Sequence, residues 1–576
     1  MVDAAICGAL EAEFAPIASL AETPMEKAAM SIVFDGRSLI FDAPGPGSWE
    51  LDTVHVPRPW SRFQCEIHSA NLPIGFRESM RRYGLLIDTL LFESVHGFIY
   101  TSPVPAGRDE MPARFAAAAQ AFETRLWRQD LDLWMREVKP VTIRTQLALQ
   151  SIDPAMLDDA ALQAHLDRCR GNLALMVQQH HRFNAAALLP VGDLIAHLVA
   201  WTGGPVGKFL ALLRGHAPES AGQYAELDAL VAAIRSDKAA EALLRGVSDP
   251  AEIIARLHAM PGTVGHAAAA YLDLVGYRLL DSLDTGDAYG LEMPEVLVNT
   301  IRLAIDRGPV APAKVSSEEQ AQLRDLVPAA HRETFDALLA EARNNSRLRD
   351  ERGLYSDVWA AGLCRRAILE AGARLIAKGR LQAPEHLVEA GYEEMKAILR
   401  GEGGPTAAAL AARRRFRDTY KSTDAPPHLG DPPHAPPPLD GLPPATQRIM
   451  RALGATLGSV FAPLTAKSDK TVIRGIGASP GVYTGTARLI GSPAEFGRLQ
   501  RGDVLVTATT TESFNIVLPL LGAVVTDAGG LLSHAAIVSR EYGIPGVVGC
   551  REATKRIADG ATLRVDGGTG EVTLLS

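Results

Sequence analysis

The distribution of apolar and polar residues divides the chain into three parts of different character. Residues 31 to about 105 alternate β-branched and aromatic runs with Pro and Gly, which predicts short strands and ordered loops. From about 110 to 417, Ala, Leu, Arg and Glu recur at helical spacing, as in ARFAAAAQAFETRLWRQDLDLWMREV, which predicts a large, mainly α-helical region. After residue 470, short β runs bounded by glycines surround one helix at about 533–542, which predicts a compact α/β domain.

These changes in pattern set the predicted domain boundaries. A strand- and loop-rich segment covers 1–110, a helical domain 111–420, a Pro-rich linker 421–446 and the α/β domain 470–576. The linker contains DAPPHLGDPPHAPPPLDGLPP, with nine prolines among 21 residues. Because Pro disfavours helices and central strands, the linker is predicted to be extended, with a reach on the order of 60 Å at about 3.1 Å per residue.

Composition and charge narrow the class of protein. A formal net charge of −9 over 576 residues argues against a general nucleic-acid binder, which normally presents a basic face. Uncharged runs reach 14 residues, as in 194–207, short of the roughly 20 that span a bilayer. The N-terminus lacks the pattern of a signal peptide, and five scattered cysteines form no CxxC pair. We therefore expect a cytoplasmic protein without a membrane span or a zinc site.

The stretch TDAGGLLSHAAIVSREYGIPGVVG, residues 526–549, is the strongest candidate for chemistry. AVVT is a predicted strand, DAGG a turn, and SHAAIVSRE a helix with Ser533 as its N-cap. His534 then lies in the first helical turn, where unpaired N–H groups favour anions and depress the pKa of an imidazole. Gly529 and Gly530 are expected to leave room for a bulky group, which suits a histidine that carries a phosphoryl group. An ordinary exposed histidine at a helix start is the alternative interpretation.

The same stretch resembles the phosphohistidine motif of the swivelling domain in phosphoenolpyruvate-utilising enzymes, such as pyruvate phosphate dikinase and phosphoenolpyruvate synthase. GIGASPGVYTGTARLI before it and VDGGTGEV after it extend the resemblance over the last 105 residues. Leu532 and Ser533 replace a usual Thr-Cys, and this variant is more similar to rifampin phosphotransferase and phenylphosphate synthase. The resemblance implies that His534 carries the phosphoryl group and that Gly529, Gly530 and Ser533 shape its loop. It also implies structural or interfacial roles for Arg540 and Glu541.

The resemblance also implies a partner. The sequence contains no P-loop, and WTGGPVGKF, residues 201–209, has an unsuitable spacing and predicts a loop. No phosphoenolpyruvate-binding barrel follows the swivelling domain in this sequence. In rifampin phosphotransferase and phenylphosphate synthase, ATP donates its β-phosphoryl group to the histidine, releasing AMP and phosphate. We therefore expect ATP and Mg²⁺ on a separate ATP-grasp-type subunit, with no cofactor or metal bound by this chain alone.

Three stretches are candidates for the site where a hydroxyl accepts the phosphoryl group in the helical domain. The first is an arginine cluster at Arg347, Arg349, Arg352, Arg365 and Arg366, which could bind the moving group or form a solvated, salt-bridged face. The second contains His180, His181 and Arg182, where one imidazole could be a general base or the helix end could simply be polar. The third contains His55 and Arg58 among tryptophans, which could line a pocket or only pack together.

The sequence therefore predicts a multidomain protein with a large, mainly helical acceptor domain and a C-terminal α/β swivelling phosphohistidine domain. The predicted activity is phosphoryl transfer from His534 to a small hydroxylated substrate, with a phenol or other aromatic acceptor implied by the resemblance. Two alternatives stay open: a component of a rifampin-type antibiotic phosphotransferase, and a non-catalytic phosphocarrier or regulatory protein.

Overall fold

The computed structural model describes residues 32–203, 206–222, 224–246, 249–280, 282–307, 315–433, 438–461, 469 and 471–575. The part of the predicted N-terminal segment before residue 32 lies outside these ranges.

Most of the described chain up to residue 461 is helical, as the periodicity predicts. The α-helices are α1 Arg62–Arg82, α2 Met111–Glu123, α3 Leu126–Leu133, α4 Lys139–Gln150, α5 Asp159–Arg182, α6 Asn184–Thr202, α7 Gly207–Leu210, α8 Ala225–Ser236, α9 Lys238–Arg245, α10 Pro250–Ala259, α11 Thr263–Val275, α12 Pro294–Arg307, α13 Ser317–Asp325, α14 Arg332–Asn345, α15 Leu348–Tyr355, α16 Asp357–Ala377, α17 Tyr392–Arg400, α18 Ala407–Thr419, α19 Pro444–Phe461, α20 His534–Tyr542 and α21 Ala553–Arg556. A single π-helical turn, Trp134–Val138, joins α3 to α4.

The strands in the described part of the chain form three sheets. They are β1 Val33–Phe34, β2 Arg37–Ser38, β3 Ser48–Leu51, β4 Ile87–Val95, β5 Phe98–Pro105, β6 His428–Gly430, β7 Val472–Arg474, β8 Ile476–Ser479, β9 Val482–Leu489, β10 Val504–Thr507, β11 Ala523–Thr526, β12 Gly546–Val548, β13 Thr562–Asp566 and β14 Glu571–Leu574. The sheet orders are β1-β2, β4-β5-β3-β6 and β7-β14-β13-β9-β10-β11-β12-β8.

The N-terminal segment differs from its prediction as strands and loops, because the long helix α1 interrupts it. Ser61 caps α1 by accepting a hydrogen bond from the Gln64 N–H. The helix carries an internal Pro73, and its buried residues lie on several sides, so its sequence lacks a clear amphipathic period. Packing against the sheet on one side and α5 on another therefore overrides the local signal.

The Pro-rich segment is not a free tether along its whole length. Its beginning is docked: the Ser422 hydroxyl donates to the Val56 carbonyl, and the Asp431 N–H donates to Gly47. β6 pairs antiparallel with β3, placing Leu429 opposite Trp49 at the edge of the N-terminal sheet. An edge strand tolerates flanking prolines because one side of it needs no ladder hydrogen bonds. The predicted linker over 421–446 therefore belongs in part to the N-terminal sheet, and its residues 434–437 lie outside the described ranges.

The C-terminal region is the predicted α/β domain. Strands β9, β10, β11 and β12 run parallel, while β8, β13, β14 and β7 pair antiparallel at the two ends of the sheet. The central strands β10 and β11 are buried along their whole length, as expected for parallel strands covered on both faces. Helix α20 follows β11 after a short turn and covers one face.

A shared apolar cluster joins the α/β domain to the helical region. Leu532, from the turn before α20, is buried with Val191 of α6, Leu213 and Val460 of α19. Helix α19 also packs along α6, so it belongs to the helical region. One stretch, Asp159–Thr202, is long and apolar enough to cross a membrane by composition alone. It comprises α5 and α6, and 72% of its most apolar window is buried inside the protein. Core packing accounts for this stretch.

Candidate functional site

His534 lies where the strand–turn–helix prediction places it. β11 ends at Thr526, and Ser533 caps α20 by accepting a hydrogen bond from the Ala536 N–H at 3.4 Å. His534 is the first residue of the helix, and its Nδ1 lies 2.9 Å from the Thr510 hydroxyl. Thr510 follows β10, which is the parallel neighbour of β11. The site therefore forms at the carboxyl edge of the parallel strands, where loops from adjacent strands meet.

The two glycines before His534 serve the packing of the loop. Gly529 has a φ of +104°, and a Cβ there would lie 2.7 Å from the Ser533 hydroxyl oxygen. A Cβ on Gly530 would lie 2.0 Å from the Ser459 carbonyl oxygen at the end of α19. The expectation that both glycines leave room beside the imidazole is therefore replaced: they allow the turn and its close contact with the helical region.

The imidazole of His534 is neutral and partly enclosed. Burial lowers the pKa of His534 to about 4, Asp350 opposes the change and Arg349 adds to it. Burial, rather than the helix start, is thus the main cause of the lowered pKa. The Nε2 atom is buried and has no hydrogen-bond partner among the residues that the structure describes. If Nδ1–H donates to Thr510, Nε2 keeps the lone pair that a phosphoryl acceptor needs.

Helix α15 of the helical region contributes the charges that act on His534. Arg352 is 7% exposed, and burial lowers its pKa to about 10. Its Nε and Nη1, the Nη1 of Arg349 and the Oδ2 of Asp350 are buried without hydrogen-bond partners in the described part of the chain. Arg349 and Asp350 also form an ion pair at 3.5 Å. Such a set of unused cationic donors beside a neutral imidazole suits a tetrahedral anion.

Two of the predicted histidines join this cluster. His55 is held by Asp52, with Nδ1 and Oδ2 2.9 Å apart, and the Asp52 carboxylate raises the pKa of His55. About half of the His55 side chain is exposed, and the positive charges of Arg349 and Arg352 act on it. His180 lies 2.8 Å from Asp357 through Nδ1, and the charges of Arg352, His55 and Asp350 act on its ring. The first and second candidate stretches and His55 of the third thus meet beside α15.

His181 has a different position from its neighbour. Its ring stacks on His180 at a centroid distance of 4.6 Å and on Phe76 of α1 at 5.0 Å. A Cβ on Gly75 would lie 2.9 Å from the His181 Cβ, so α1 and α5 cross closely here. His181 therefore packs between two rings, whereas His180 faces the charged cluster.

The remaining predicted arginines are engaged elsewhere, as the salt-bridge interpretation expects. Their partners are Glu351 and Glu219 for Arg347, Glu292 for Arg365, the Gln150 carbonyl and Asp153 for Arg366, Glu78 for Arg182, and Asp287 for Arg58. Arg365 is 6% exposed and also donates to the Thr285 carbonyl, so its role is to hold α16 to the loop before α12. These five arginines do not face His534.

Polar contacts hold the α/β domain in this position. The Gly215 N–H donates to Glu541 at 2.7 Å, and the Arg214 guanidinium donates to the Arg540 carbonyl at 2.6 Å. Arg540 also donates to the carbonyls of Ala478 and Leu531 within its own domain. Arg540 is therefore structural and Glu541 interfacial. A cavity of about 40 Å³ lies between them and α15, lined by Arg349, Asp350 and Leu532 among others.

Sequence reasoning missed Thr510, Asp52 and Asp357. The position of Thr510 after a buried strand could have been used, because parallel neighbours end at the same edge of a sheet. Asp52 and His55 are three residues apart and pair locally, which spacing could also indicate. Asp357 pairs with a histidine 177 residues away, and nothing local indicates that contact.

Two known protein families match separate parts of the chain. Residues 499–570 match the family described as PEP-utilising enzyme, mobile domain. Residues 180–350 match the family described as rifampicin phosphotransferase fourth domain. The first match contains His534 and Thr510, and the second contains His180, Arg349 and Asp350.

Curated relatives match parts of the chain. The uncharacterized phosphotransferase YvkC of Bacillus subtilis is 33% identical over 245 residues, 42% of this chain and 28% of that protein. A probable phosphoenolpyruvate synthase of Archaeoglobus fulgidus is 46% identical over 103 residues, 18% of this chain and 14% of that protein. The chondramide synthase cmdD of Chondromyces crocatus is 30% identical over 264 residues, 44% of this chain and 6% of that protein. The chain thus covers less than a third of the length of each of these relatives.

Proposed function

We propose that this chain is a phosphotransferase subunit in which His534 is the phosphoryl carrier. The support is the match of its C-terminal region to the mobile domain of PEP-utilising enzymes and of its helical region to the fourth domain of rifampicin phosphotransferase. The phosphoryl group on Nε2 passes to a hydroxyl of a small substrate bound beside α15. The observation that carries this proposal is the buried Nε2 of His534 close to Arg349, whose unpaired donor lies on the same face of α15 as those of Arg352.

The cluster suits the electrostatics of the transfer. A transferring phosphoryl group spreads negative charge over its oxygens, and fixed guanidinium groups stabilise that charge in a site shielded from water. Arg349 and Arg352 are three residues apart on one helix, so they lie on the same face. The neutral ring of His534 is the nucleophile during loading and the leaving group during transfer, because it can take back the electron pair of the P–N bond.

We further propose that ATP loads His534 through a separate ATP-grasp-type subunit, with AMP and phosphate released. Support comes from the resemblance to phenylphosphate synthase and from the absence of a P-loop spacing in the sequence. In this proposal the partner subunit holds ATP and Mg²⁺, and the chain itself supplies the imidazole and the acceptor site.

An aromatic hydroxyl is the proposed acceptor. The support is again the resemblance to phenylphosphate synthase, together with the imidazole rings of His55 and His180 beside the arginines. The match of 180–350 to a rifampicin phosphotransferase domain favours a second candidate, the hydroxyl of a rifampin-type antibiotic. A panel of simple phenols and rifampin, offered to the loaded protein, distinguishes the two by phosphorus NMR of the products.

The carrier role is tested by loading. The chain is incubated with ATP, Mg²⁺ and a candidate ATP-grasp subunit, and we expect an acid-labile, base-stable phosphoprotein. His534→Ala should abolish the label, whereas His266→Ala, which alters an exposed histidine on α11, should retain it. Full labelling and turnover of His534→Ala would show that another residue carries the group. Rapid ATP hydrolysis by the chain alone would refute the proposed partner.

A further inference from the structure

His180 and Asp357 form a buried pair that loading of His534 does not use. Both carboxylate oxygens of Asp357 lie within 2.9 Å of the His180 Nδ1. Asp357 is 2% exposed, so its interaction with the ring is shielded from solvent. Because Nδ1 faces the carboxylate, the Nδ1–H tautomer is favoured and Nε2 keeps its lone pair. An imidazole oriented in this way by a carboxylate has the arrangement of a general base.

Several contacts fix the geometry of the pair. Gln179, next to His180, donates through Nε2 to the hydroxyls of Ser356 and Thr142, both at 2.9 Å. Ser356 precedes Asp357, so two neighbouring residues on α5 bind two neighbouring residues at the start of α16. A Cβ at Gly353 would lie 3.1 Å from the His180 Cε1, which shows that the ring lies directly against α15. The pair is therefore oriented by its own surroundings and needs no substrate to assemble.

The pair lies next to Arg352 of α15, the helix whose Arg349 and Asp350 act on His534. Arg352, Ser356 and Asp357 follow one another along α15 and the start of α16, and the charge of Arg352 acts on both His180 and Asp357. Burial raises the pKa of Asp357 to about 7 and lowers that of His180 well below its ordinary value. Above that pH the Asp357 carboxylate is ionised and His180 is neutral, which is the state in which the carboxylate orients the imidazole as a base.

We infer that Nε2 of His180 removes the proton from a phenolic hydroxyl of the acceptor while that oxygen attacks the phosphoryl group on His534. This inference rests on the proposed function. The substrate O–H bond breaks and its proton goes to Nε2 of His180, and the oxygen forms the P–O bond. The P–N bond to His534 breaks, and its electron pair stays on Nε2 of that imidazole. Asp357 is a positioning residue that holds His180 in the Nδ1–H tautomer and stabilises the imidazolium.

The experiment separates loading from transfer. The full chain is loaded with potassium phosphoramidate, a donor that needs no nucleotide, and the phosphohistidine is followed by phosphorus NMR. Wild type, His180→Gln, Asp357→Asn and His266→Gln are loaded and then mixed with phenol or with para-nitrophenol at mildly alkaline pH. Phenol, with a pKa near 10, needs a base there, whereas para-nitrophenol is already largely ionised.

We expect normal loading in all four proteins. In His180→Gln the rate of phosphoryl transfer to phenol should fall by about 100-fold or more, whereas the rate of transfer to para-nitrophenol should change little. Asp357→Asn should show the same selective loss, and histidine-selective nitrogen NMR should show a changed His180 tautomer. The difference between the two acceptors is the decisive readout, since a merely structural defect would slow both.

Three results would overturn the inference alone. Equal transfer to phenol by wild type and His180→Gln would exclude the base while leaving the carrier role intact. Equal losses with both acceptors would assign His180 a structural role. If the loaded wild-type protein transfers its phosphoryl group to phenols no faster than to water, a phenolic acceptor is excluded. Failure of wild type to form phosphohistidine at His534 would instead refute the proposed function, and the inference with it.

Discussion

Leu532 provides a direct test of whether docking of the α/β domain controls the two half-reactions. Its side chain is 3% exposed and packs in an apolar cluster formed mainly by helical-region residues such as Val191 and Val460. Burying a leucine contributes about 1.5–3 kcal/mol, and truncation to alanine in a core costs about 2–5 kcal/mol with the cavity left behind. In an undocked domain Leu532 would be exposed to solvent. The free energy lost in Leu532→Ala is therefore lost from docking and not from the folding of the domain. We expect docking to weaken by about 2–3 kcal/mol, or about 30- to 150-fold.

The expected consequences for loading and transfer are opposite. In the docked state Nε2 of His534 is buried, so we expect loading to require an undocked domain. Leu532→Ala should therefore be loaded faster by phosphoramidate. Transfer to an acceptor beside α15 should be slower, because it requires the docked state. Phosphorus NMR measures both rates, and fluorescence transfer between dyes on the two domains measures the docked fraction.

Leu563→Ala is the matched control. Leu563 is fully buried in β13, within a core that belongs to the α/β domain alone. Its truncation should lower the free energy of unfolding of the domain by about 2–5 kcal/mol. The ratio of the loading rate to the transfer rate should stay unchanged. The reasoning is refuted if Leu532→Ala changes both rates in the same direction, or if Leu563→Ala reproduces its effect.

Three further predictions test other parts of the site. Thr510→Val removes the hydrogen bond to the His534 Nδ1 and should slow loading by about 2- to 10-fold, whereas Thr510→Ser should load normally. If Thr510→Val loads as fast as wild type, Thr510 has no role in loading. Arg352→Met should reduce the rate of transfer by about 100-fold or more at unchanged thermal stability. Arg365→Met should instead lower the melting temperature, because it leaves Glu292 without its ion-pair partner. The opposite result would assign the functional role to Arg365 and the structural role to Arg352. Glu541→Gln tests pH dependence: burial at the interface raises the pKa of Glu541 to about 7, with Arg540 and Arg214 opposing and Asp350 adding to it. Between about pH 4.5 and 7 the docked state then binds a proton that the undocked state has lost. Docking should therefore weaken by at most about 3 kcal/mol as the pH rises through this range. In Glu541→Gln the docked fraction should no longer change with pH over this range.

The elements around His534 could be predicted because they depend on local chemistry. A strand, a glycine turn, a serine cap and a helix are each specified within a few residues, and the structure confirms all four. The long helix α1 could not be predicted in the same way. Its sides are buried by different neighbours, so the helical period is hidden in its sequence. The paired part of the Pro-rich segment was missed for a related reason, since β3, its partner strand, lies about 380 residues earlier.

The acceptor side shows the same limit at the level of single residues. Arg349 and Arg352 share a face by spacing, and Arg347 and Glu351 pair by spacing, so helix geometry alone could have separated them. The partner of Arg365 lies 73 residues away and that of His180 lies 177 residues away. Which cation is free to bind a phosphoryl group therefore depends on tertiary contacts that one sequence does not specify.

The enclosure of His534 has a consequence for the order of events. A phosphohistidine exposed to water loses its phosphoryl group to hydrolysis, and a site that excludes water prevents that loss. In the docked state Nε2 of His534 is buried, and the charges of Arg349 and Asp350 on α15 act on its ring. We therefore expect a bulky phosphoryl donor to be excluded from Nε2 in this position. The proposed acceptor site beside α15 lies next to these charges. On the proposed function, we therefore expect the docked structure to be the arrangement for transfer and the undocked one to be the arrangement for loading.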